Sequence, residues 1–230
     1  MIDAVIDELP DLLPAIWLTI QLTVIASLAG LVLAIPLSIF SLSKNRFIRL
    51  PIDAFSYFFR GTPLLIQIYL IYFGLGQFEA VRNVTWLWDN VLSDAYKCAL
   101  IAFTFNTCAY TIEIFKGAIK HTPKGEIEAG KAFGMSQFTL FRRIIFPSGF
   151  RRALPAYSNE VIFMLHGTAQ ASVIALVDIL GWARKVYSIT YSPFIPFLIA
   201  ALVYLVLTFA LVALFRYCEK RWLSHLKPTF

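Results

Sequence analysis

Five stretches of this chain stay apolar for about 20 residues or more, the length an α-helix needs to cross the hydrocarbon core of a bilayer. They run from about Ile16 to Leu42, Phe55 to Leu75, Ala95 to Ile119, Leu154 to Leu180 and Phe194 to Tyr217. The whole composition follows from them. The chain is 59% hydrophobic with a mean hydropathy of +0.71, against about 45–50% apolar residues in soluble domains. The fold class expected is therefore all-α, a polytopic membrane protein with five transmembrane helices.

Met1 to Asp11 carries Asp3, Asp7, Glu8 and Asp11 where a cleavable signal would carry basic residues, so no cleavable signal is expected. The three cysteines, Cys98, Cys108 and Cys218, lie in or beside apolar segments with no CxxC spacing and no histidine close by. They read as packing residues. A net charge of +6 would suggest nucleic acid in a soluble protein. Here its distribution matters more than its sum. Lys44, Arg46 and Arg49 follow the first span, and Lys116 to Arg152 contribute eight cations after the third. Arg216, Lys220, Arg221 and Lys227 follow the fifth. The other side holds the acidic N-terminus, Glu79, Arg82, Asp89, Asp94, Lys97, Asp178, Arg184 and Lys185. Positive charge stays inside, which places the N-terminus outside and the C-terminus in the cytoplasm.

Within the first span, Ala26, Gly30 and Ala34 form a small-xxx-small row that lets a second helix approach closely. Pro36 and Pro63 are expected to kink spans one and two. No repeat and no low-complexity linker divides the chain, so residues 1–230 are expected to form one domain.

Between spans three and four lies a polar island, Gly125 to Pro147, within a loop of about residues 120–150. It contains Gly125-Glu126-Ile127-Glu128-Ala129-Gly130-Lys131-Ala132, which is G-x-x-x-x-G-K followed by alanine. A phosphate-binding loop needs Ser or Thr at that last position to ligate Mg²⁺, and two carboxylates inside the loop would repel phosphate. Nucleotide binding by this chain is rejected. The same residues read as two short helices. Thr122 is expected to cap and Pro123 to take the first position of a helix from Lys124 to Phe133, with Gly134 as its C-cap. Ser136 is expected to cap a second helix that ends before Pro147 and puts Phe138, Phe141 and Ile145 on one face. Pattern alone leaves two readings open, an interfacial amphipathic helix and a knob that docks into a groove of a cytoplasmic partner.

The spacing of Glu128, Ala129, Gly130, Gly134, Ile144, Phe146 and Pro147 resembles the E-A-A-x-x-x-G, nine residues, I-x-L-P signature of bacterial ATP-binding cassette import permeases. Gly130 departs from the usual alanine and Phe146 from the usual leucine. Phe59-Arg60-Gly61-Thr62-Pro63-Leu64-Leu65-Ile66-Gln67 resembles the FRGTPLLVQ segment of polar amino-acid permeases. Asn106 to Phe115 and Tyr157 to Ile162 add two further matches. Together these resemble the "M"-type membrane subunit of the histidine/lysine/arginine/ornithine and arginine importers, with opine permeases as near relatives.

The resemblance implies a type I importer permease fold with a cytoplasmic coupling loop, gripped at Glu128, Ala129, Gly130, Gly134, Ile144 and Pro147 by a separate ATPase. It also implies a sister permease in a heterodimer, a dimer of ATPase subunits and an external amino-acid-binding protein, all about an inner (cytoplasmic) membrane. This chain would bind no cofactor, with ATP and Mg on the ATPase, and no nucleic acid. Its function would be ATP-driven import of basic amino acids.

Polar residues inside spans tend to face a cavity or a partner helix. Asn106, Tyr110 and Glu113 share one helix face at i, i+4 and i+7, and Asn159 and Glu160 are adjacent in span four. For a cationic amino acid, Glu160 would pair with a positive group while Asn159 and Asn106 hydrogen-bond either end. Glu113 is set lower because it falls near the end of its span. Arg60 is read as a structural cation and His166 as hydrogen-bonded structure. No catalytic constellation appears. Two rivals stay open, a proton-coupled secondary transporter using Glu160 and Glu113, and a membrane scaffold that only recruits a protein. Five unrepeated spans argue against the first, since that class commonly shows internal repeats.

Overall fold

The computed structural model describes residues 2–222; Lys227 of the basic tail lies outside the described residues. Helix accounts for nearly all of them, and no strand forms among the described residues. A short helix at Ile2–Asp7 and a tight turn at Leu9–Asp11 lead into α1, Leu12–Phe40. α2 covers Arg46–Gly61. α3, Leu64–Tyr69, is prolonged by a wide turn at Leu70–Gly74 and a tight one at Leu75–Gln77. Short helical turns then lead to α4, Ala95–Lys120. α5 is Lys124–Ala132, and α6 is Gln137–Leu140. A wide π turn at Phe141–Ile145 joins α6 to α7, Phe146–Gly167, which a 3-10 stretch extends to Ile174. α8 is Ile179–Thr190 and α9 is Phe194–Trp222.

Three unbroken helices, Val5–Phe40, Ala95–Lys120 and Phe194–Trp222, are long and apolar enough to cross a membrane. Two bent pairs raise the number to as many as five where each pair is one span: Arg46–Gly61 with Leu64–Gln77, bent by 106°, and Gln137–Ile174 with Ile179–Thr190, bent by 47°. The expected count of five is compatible with this arrangement, but two expected boundaries are not. The stretch from Phe55 to Leu75 straddles the 106° bend. Pro63 supplies no N–H and forces the preceding residue out of the helical region, and Thr62 sits at φ −113°, ψ 144°. The stretch from Leu154 to Leu180 straddles a second break. Ala175 there adopts φ 64°, and Asp178 restarts the helix by accepting from the Gly181 N–H at 2.9 Å. Asp178 is fully buried and also accepts from the Tyr204 hydroxyl at 3.1 Å. It is a cap inside the protein rather than a loop charge. Pro36, by contrast, lies within the unbroken α1.

The small-residue row on α1 packs as its spacing predicts, and its partner is α4. Ala26, Gly30 and Ala34 are all buried. A Cβ on Gly30 would collide with the Thr107 side chain and meet the Cys108 N at 3.1 Å and the Thr104 O at 3.3 Å. Lipid chains are as apolar as leucine, so close backbone approach of this kind holds helices together where burial alone cannot. Around the crossing, Leu22, Ile68, Phe103, Met164 and Ile174 form the largest buried cluster. A second cluster, built on Ile179, Trp182 and Val186, seats α8 against the start of α1. Cross-links reinforce both: Tyr157 donates to the Ser27 carbonyl at 3.0 Å, and Trp182 donates to the Glu8 carbonyl at 2.7 Å. The cysteines are packing residues as expected, with Cys98 and Cys108 buried and all three free.

Candidate functional site

The break at Thr62–Pro63 builds one side of a groove. A helix that ends in mid-span leaves carbonyls without intrahelical partners, and in an apolar setting each such group is expensive. Gln67 answers this. Its Nε2 donates to the Phe59 carbonyl at 2.8 Å and to the Thr62 carbonyl at 2.9 Å, and lies 2.8 Å from the Thr62 hydroxyl. Its Oε1 accepts from Asn106 Nδ2 at 3.0 Å, and Asn106 reaches the Phe59 carbonyl as well, at 3.2 Å. The F-R-G-T-P-L-L-I-Q segment is thus a broken helix end held by the glutamine that follows it. Both amides are oriented by acceptors on fixed backbone.

Beside that network lies a groove of about 640 Å³, lined among others by Asn106, Tyr110, Asn159, Glu160, Phe163 and Gln170. The structure brings together all three residues expected to meet a substrate. Asn106 comes from α4, and Asn159 and Glu160 from α7. Glu160 is buried and Asn159 exposed. Thr107 and Arg60 are the electrostatic neighbours of the Glu160 carboxylate.

Glu113 does not line the groove. It pairs with Lys116 at 3.2 Å and faces Arg60 at 4.0 Å, while Lys116 also holds Asp53 at 2.7 Å and Asp53 faces Arg49 at 3.6 Å. This charge ladder fastens α2 to α4, which agrees with a structural Arg60. Arg60 also lies 5.5 Å from the Tyr110 ring centroid. His166 shares a hydrogen bond of 3.0 Å with the Thr208 hydroxyl, as its expected structural role requires. Gln170 is a member that sequence reasoning missed. Its Oε1 is buried with no partner among the described residues. It stands in a 3-10 stretch, where helical spacing gives no guide.

The polar island folds as a knob of α5 and α6. α5 ends in a Schellman motif: Met135 N–H donates to the Gly130 carbonyl at 3.2 Å and Gly134 N–H to the Lys131 carbonyl at 2.9 Å. Gly134 takes φ +71°, the conformation for which glycine was expected there. Ser136 caps α6 by accepting from the Thr139 N–H at 3.3 Å, also as expected. Gly130 is buried, and a Cβ there would meet Leu140 Cδ1 at 2.5 Å and Ile144 Cδ1 at 2.8 Å. Its departure from alanine is thereby explained, since the larger neighbours fill the space.

Three expectations for the knob fail. Thr122 does not cap α5; its hydroxyl turns back to the Ile119 carbonyl at 2.9 Å, and Pro123 takes the cap position instead of the first helical one. The second helix does not stop before Pro147. The π turn at Phe141–Ile145, with the Phe146 N–H reaching back to the Phe141 carbonyl, shifts the register so that Pro147 enters the next helix at its start. A proline is tolerated there because its missing N–H is an orphan in any case. Third, Leu140 and Ile144 pack inward, while Phe138 stands 73% exposed beside Phe133 at 85%. Glu128 and Ala129 are exposed too, and Glu128 has no ion pair among the described residues. The knob therefore presents Glu128, Phe133 and Phe138, among exposed cations such as Lys131 and Arg142, to whatever lies beyond it.

The comparisons with known proteins agree with this architecture. A family model described as "Binding-protein-dependent transport system inner membrane component" matches residues 26–224. The histidine/lysine/arginine/ornithine transport system permease protein HisM of Escherichia coli (strain K12) is 47% identical over 212 residues, spanning 92% of this chain and 89% of that protein. The nopaline transport system permease protein NocM of Agrobacterium fabrum (strain C58) is 41% identical over 223 residues, 97% of this chain and 92% of that protein. Among solved structures, an amino acid ABC transporter crystallised with histidines superposes at a TM-score of 0.83 with 30% identity, covering 94% of this chain and 96% of that one. The MetNI methionine ABC transporter, in an inward-facing conformation, gives a TM-score of 0.69 at 18% identity over 94% of this chain and 96% of that one. That likeness bears on the fold alone.

Proposed function

This chain belongs to the family of binding-protein-dependent transport system inner membrane components, and we propose that within that family it imports basic amino acids. It is the multi-pass membrane subunit of an ATP-binding cassette importer, not an enzyme, and the ATPase is a separate chain. The reading of substrate rests on one observation above the rest: a buried carboxylate, Glu160, lines the same groove as two amides, Asn106 and Asn159. A basic amino acid carries a cationic side chain, an ammonium and a carboxylate. Glu160 takes a cationic group in a charge-assisted hydrogen bond, and the amides serve the remaining donor and acceptor atoms. The likeness to HisM supports the same substrate class.

The outer partners follow. A sister permease closes the open side of the groove in a heterodimer, and an external binding protein delivers substrate to it. Lys120 to Arg152 carries the densest positive charge of the chain, so this end is cytoplasmic and the N-terminus external. Two ATPase subunits grip the permease pair at the knobs, here through Glu128, Ala129, Gly130, Gly134, Ile144 and Pro147. ATP and Mg stay on them, and this chain holds no cofactor. Its own contribution is to bind substrate with different affinity in two conformations.

The test is uptake of labelled arginine, histidine and lysine by liposomes that hold the complete importer, with nopaline as competitor. We expect the basic amino acids to be carried, and Glu160→Gln to weaken them about 10–100-fold, since hydrogen bonds to charged groups contribute about 1.5–3 kcal/mol. Preferential uptake of nopaline would move the chain to opine import. Unaltered kinetics in Glu160→Gln would remove that residue from the site.

A further inference from the structure

A second acidic residue of the knob, Glu126, has a different position from Glu128. Its Oε1 accepts from Arg152 Nη2 at 2.8 Å, and its Oε2 accepts from the Ser148 hydroxyl at 2.7 Å. Both oxygens of one carboxylate on α5 are thereby committed to α7. Ser148 and Arg152 are one turn apart, and the next two steps along the same ridge are Ala156 and Glu160, which line the groove. Arg152 and Glu160 lie eight residues apart on one helix, a rise of about 12 Å.

The other supports of α5 run to its own neighbours in sequence. The Schellman turn joins it to Met135, and Gly130 rests on Leu140 and Ile144. These supports meet the stretch that runs on into α7 at Leu140 and Ile144, and they do not reach Ser148 or Arg152 themselves. Glu126 does. Arg152 is partly buried and its Nε has no partner among the described residues, while its Nη2 donates to Glu126.

We propose that Glu126, Ser148 and Arg152 form a strap that makes α5 and α7 move as one body, so that force applied to the exposed face of the knob reaches Asn159 and Glu160. The inference rests on the reading of the chain as an ATP-driven importer. Glu128 faces outward for the partner, whereas Glu126 faces inward and passes the displacement on. Glu126 is a positioning residue: it touches neither substrate nor ATPase. Cutting the strap leaves the docking face intact and weakens its connection to the groove, which then runs only through the π turn that joins α6 to α7. The partner ATPase then hydrolyses ATP without a matching change at the groove.

The experiment is the ratio of ATP hydrolysed to substrate taken up by the reconstituted importer carrying Glu126→Gln, Arg152→Gln, or the exchanged pair Glu126→Arg with Arg152→Glu. The ratio is expected to rise about tenfold in each single variant, a coupling loss of ordinary allosteric size, with subunit recovery unchanged. The exchanged pair should return it to within about twofold of the parent, which would show that the two side chains act through each other. A ratio unmoved by Glu126→Gln, or not rescued by the exchange, overturns the strap. Hydrogen exchange on the same complexes separates this from failure of the transport reading. Glu126→Gln should speed exchange of the α5 amides about tenfold even if no amino acid is carried. Unchanged exchange overturns the strap whatever the uptake assay gives.

Discussion

The groove and the knob are the two polar regions of an apolar chain, and they are polar in opposite ways. Along the groove wall at the helix break the amide donors are spent. Gln67 commits its amide nitrogen to the Phe59 and Thr62 carbonyls, and Asn106 commits its own to the Phe59 carbonyl and to Gln67 Oε1. On the knob the inner polar groups are spent, through Glu126 and the Schellman turn, while the outer face with Glu128, Phe133 and Phe138 is bare. The difference teaches how to separate stability from transport. Changes at the groove wall strike backbone groups that lipid cannot satisfy. Changes on the outer knob strike no bond within this chain.

The largest effect is expected where two helices approach backbone to backbone. Gly30→Val would drive a side chain into Thr107 and into the backbone at Thr104 and Cys108, which cannot yield as a flexible side chain does. Overpacking of this kind costs up to about 3 kcal/mol, so the purified protein should lose several degrees of thermal stability. An unchanged Tm would show that α1 and α4 are less tightly engaged than the structure has them.

Gln67→Leu comes next. It keeps the bulk but strips partners from the Thr62 carbonyl and from Asn106, and unsatisfied buried groups cost about 1–3 kcal/mol. Both stability and substrate affinity should fall, because Asn106 loses the acceptor that orients it. A variant that loses affinity with full stability would make Gln67 a substrate contact instead of a scaffold.

The smallest effect belongs to the knob. Gly134→Ala places a Cβ at φ +71°, which costs about 1–2 kcal/mol for an L-residue but is confined to a turn on the surface. Global Tm should hardly move, while the stimulation of the partner ATPase by substrate should weaken. A large fall in Tm would erase the contrast between the two regions.

The same contrast governs what could be read from the chain itself. The apolar runs gave the number of spans, and Ala26, Gly30 and Ala34 gave a close crossing, because side-chain size and period are written directly in sequence. Asn106, Asn159 and Glu160 were legible because polar residues in lipid need a reason to be there. Gln67 stood inside a recognised motif without a visible task, since its task depends on carbonyls freed by the bend at Pro63. Where the helices break was harder still. The 106° turn and the π turn before Pro147 depend on backbone hydrogen-bond register, and a proline alone does not say whether a helix ends, bends or starts there. Glu126 and Arg152 lie 26 residues apart with no periodic relation, so only the folded chain reveals the pair.

The central claim is that energy enters at the outer face of the knob and substrate sits at Glu160. Its most direct test is uptake of labelled arginine by liposomes holding the importer with Glu128→Lys in this chain. We expect intact assembly, unchanged Tm and continued ATP hydrolysis with uptake reduced about tenfold or more. Uptake at the parent rate, or uptake by this chain alone driven by a proton gradient without ATP, would contradict the account.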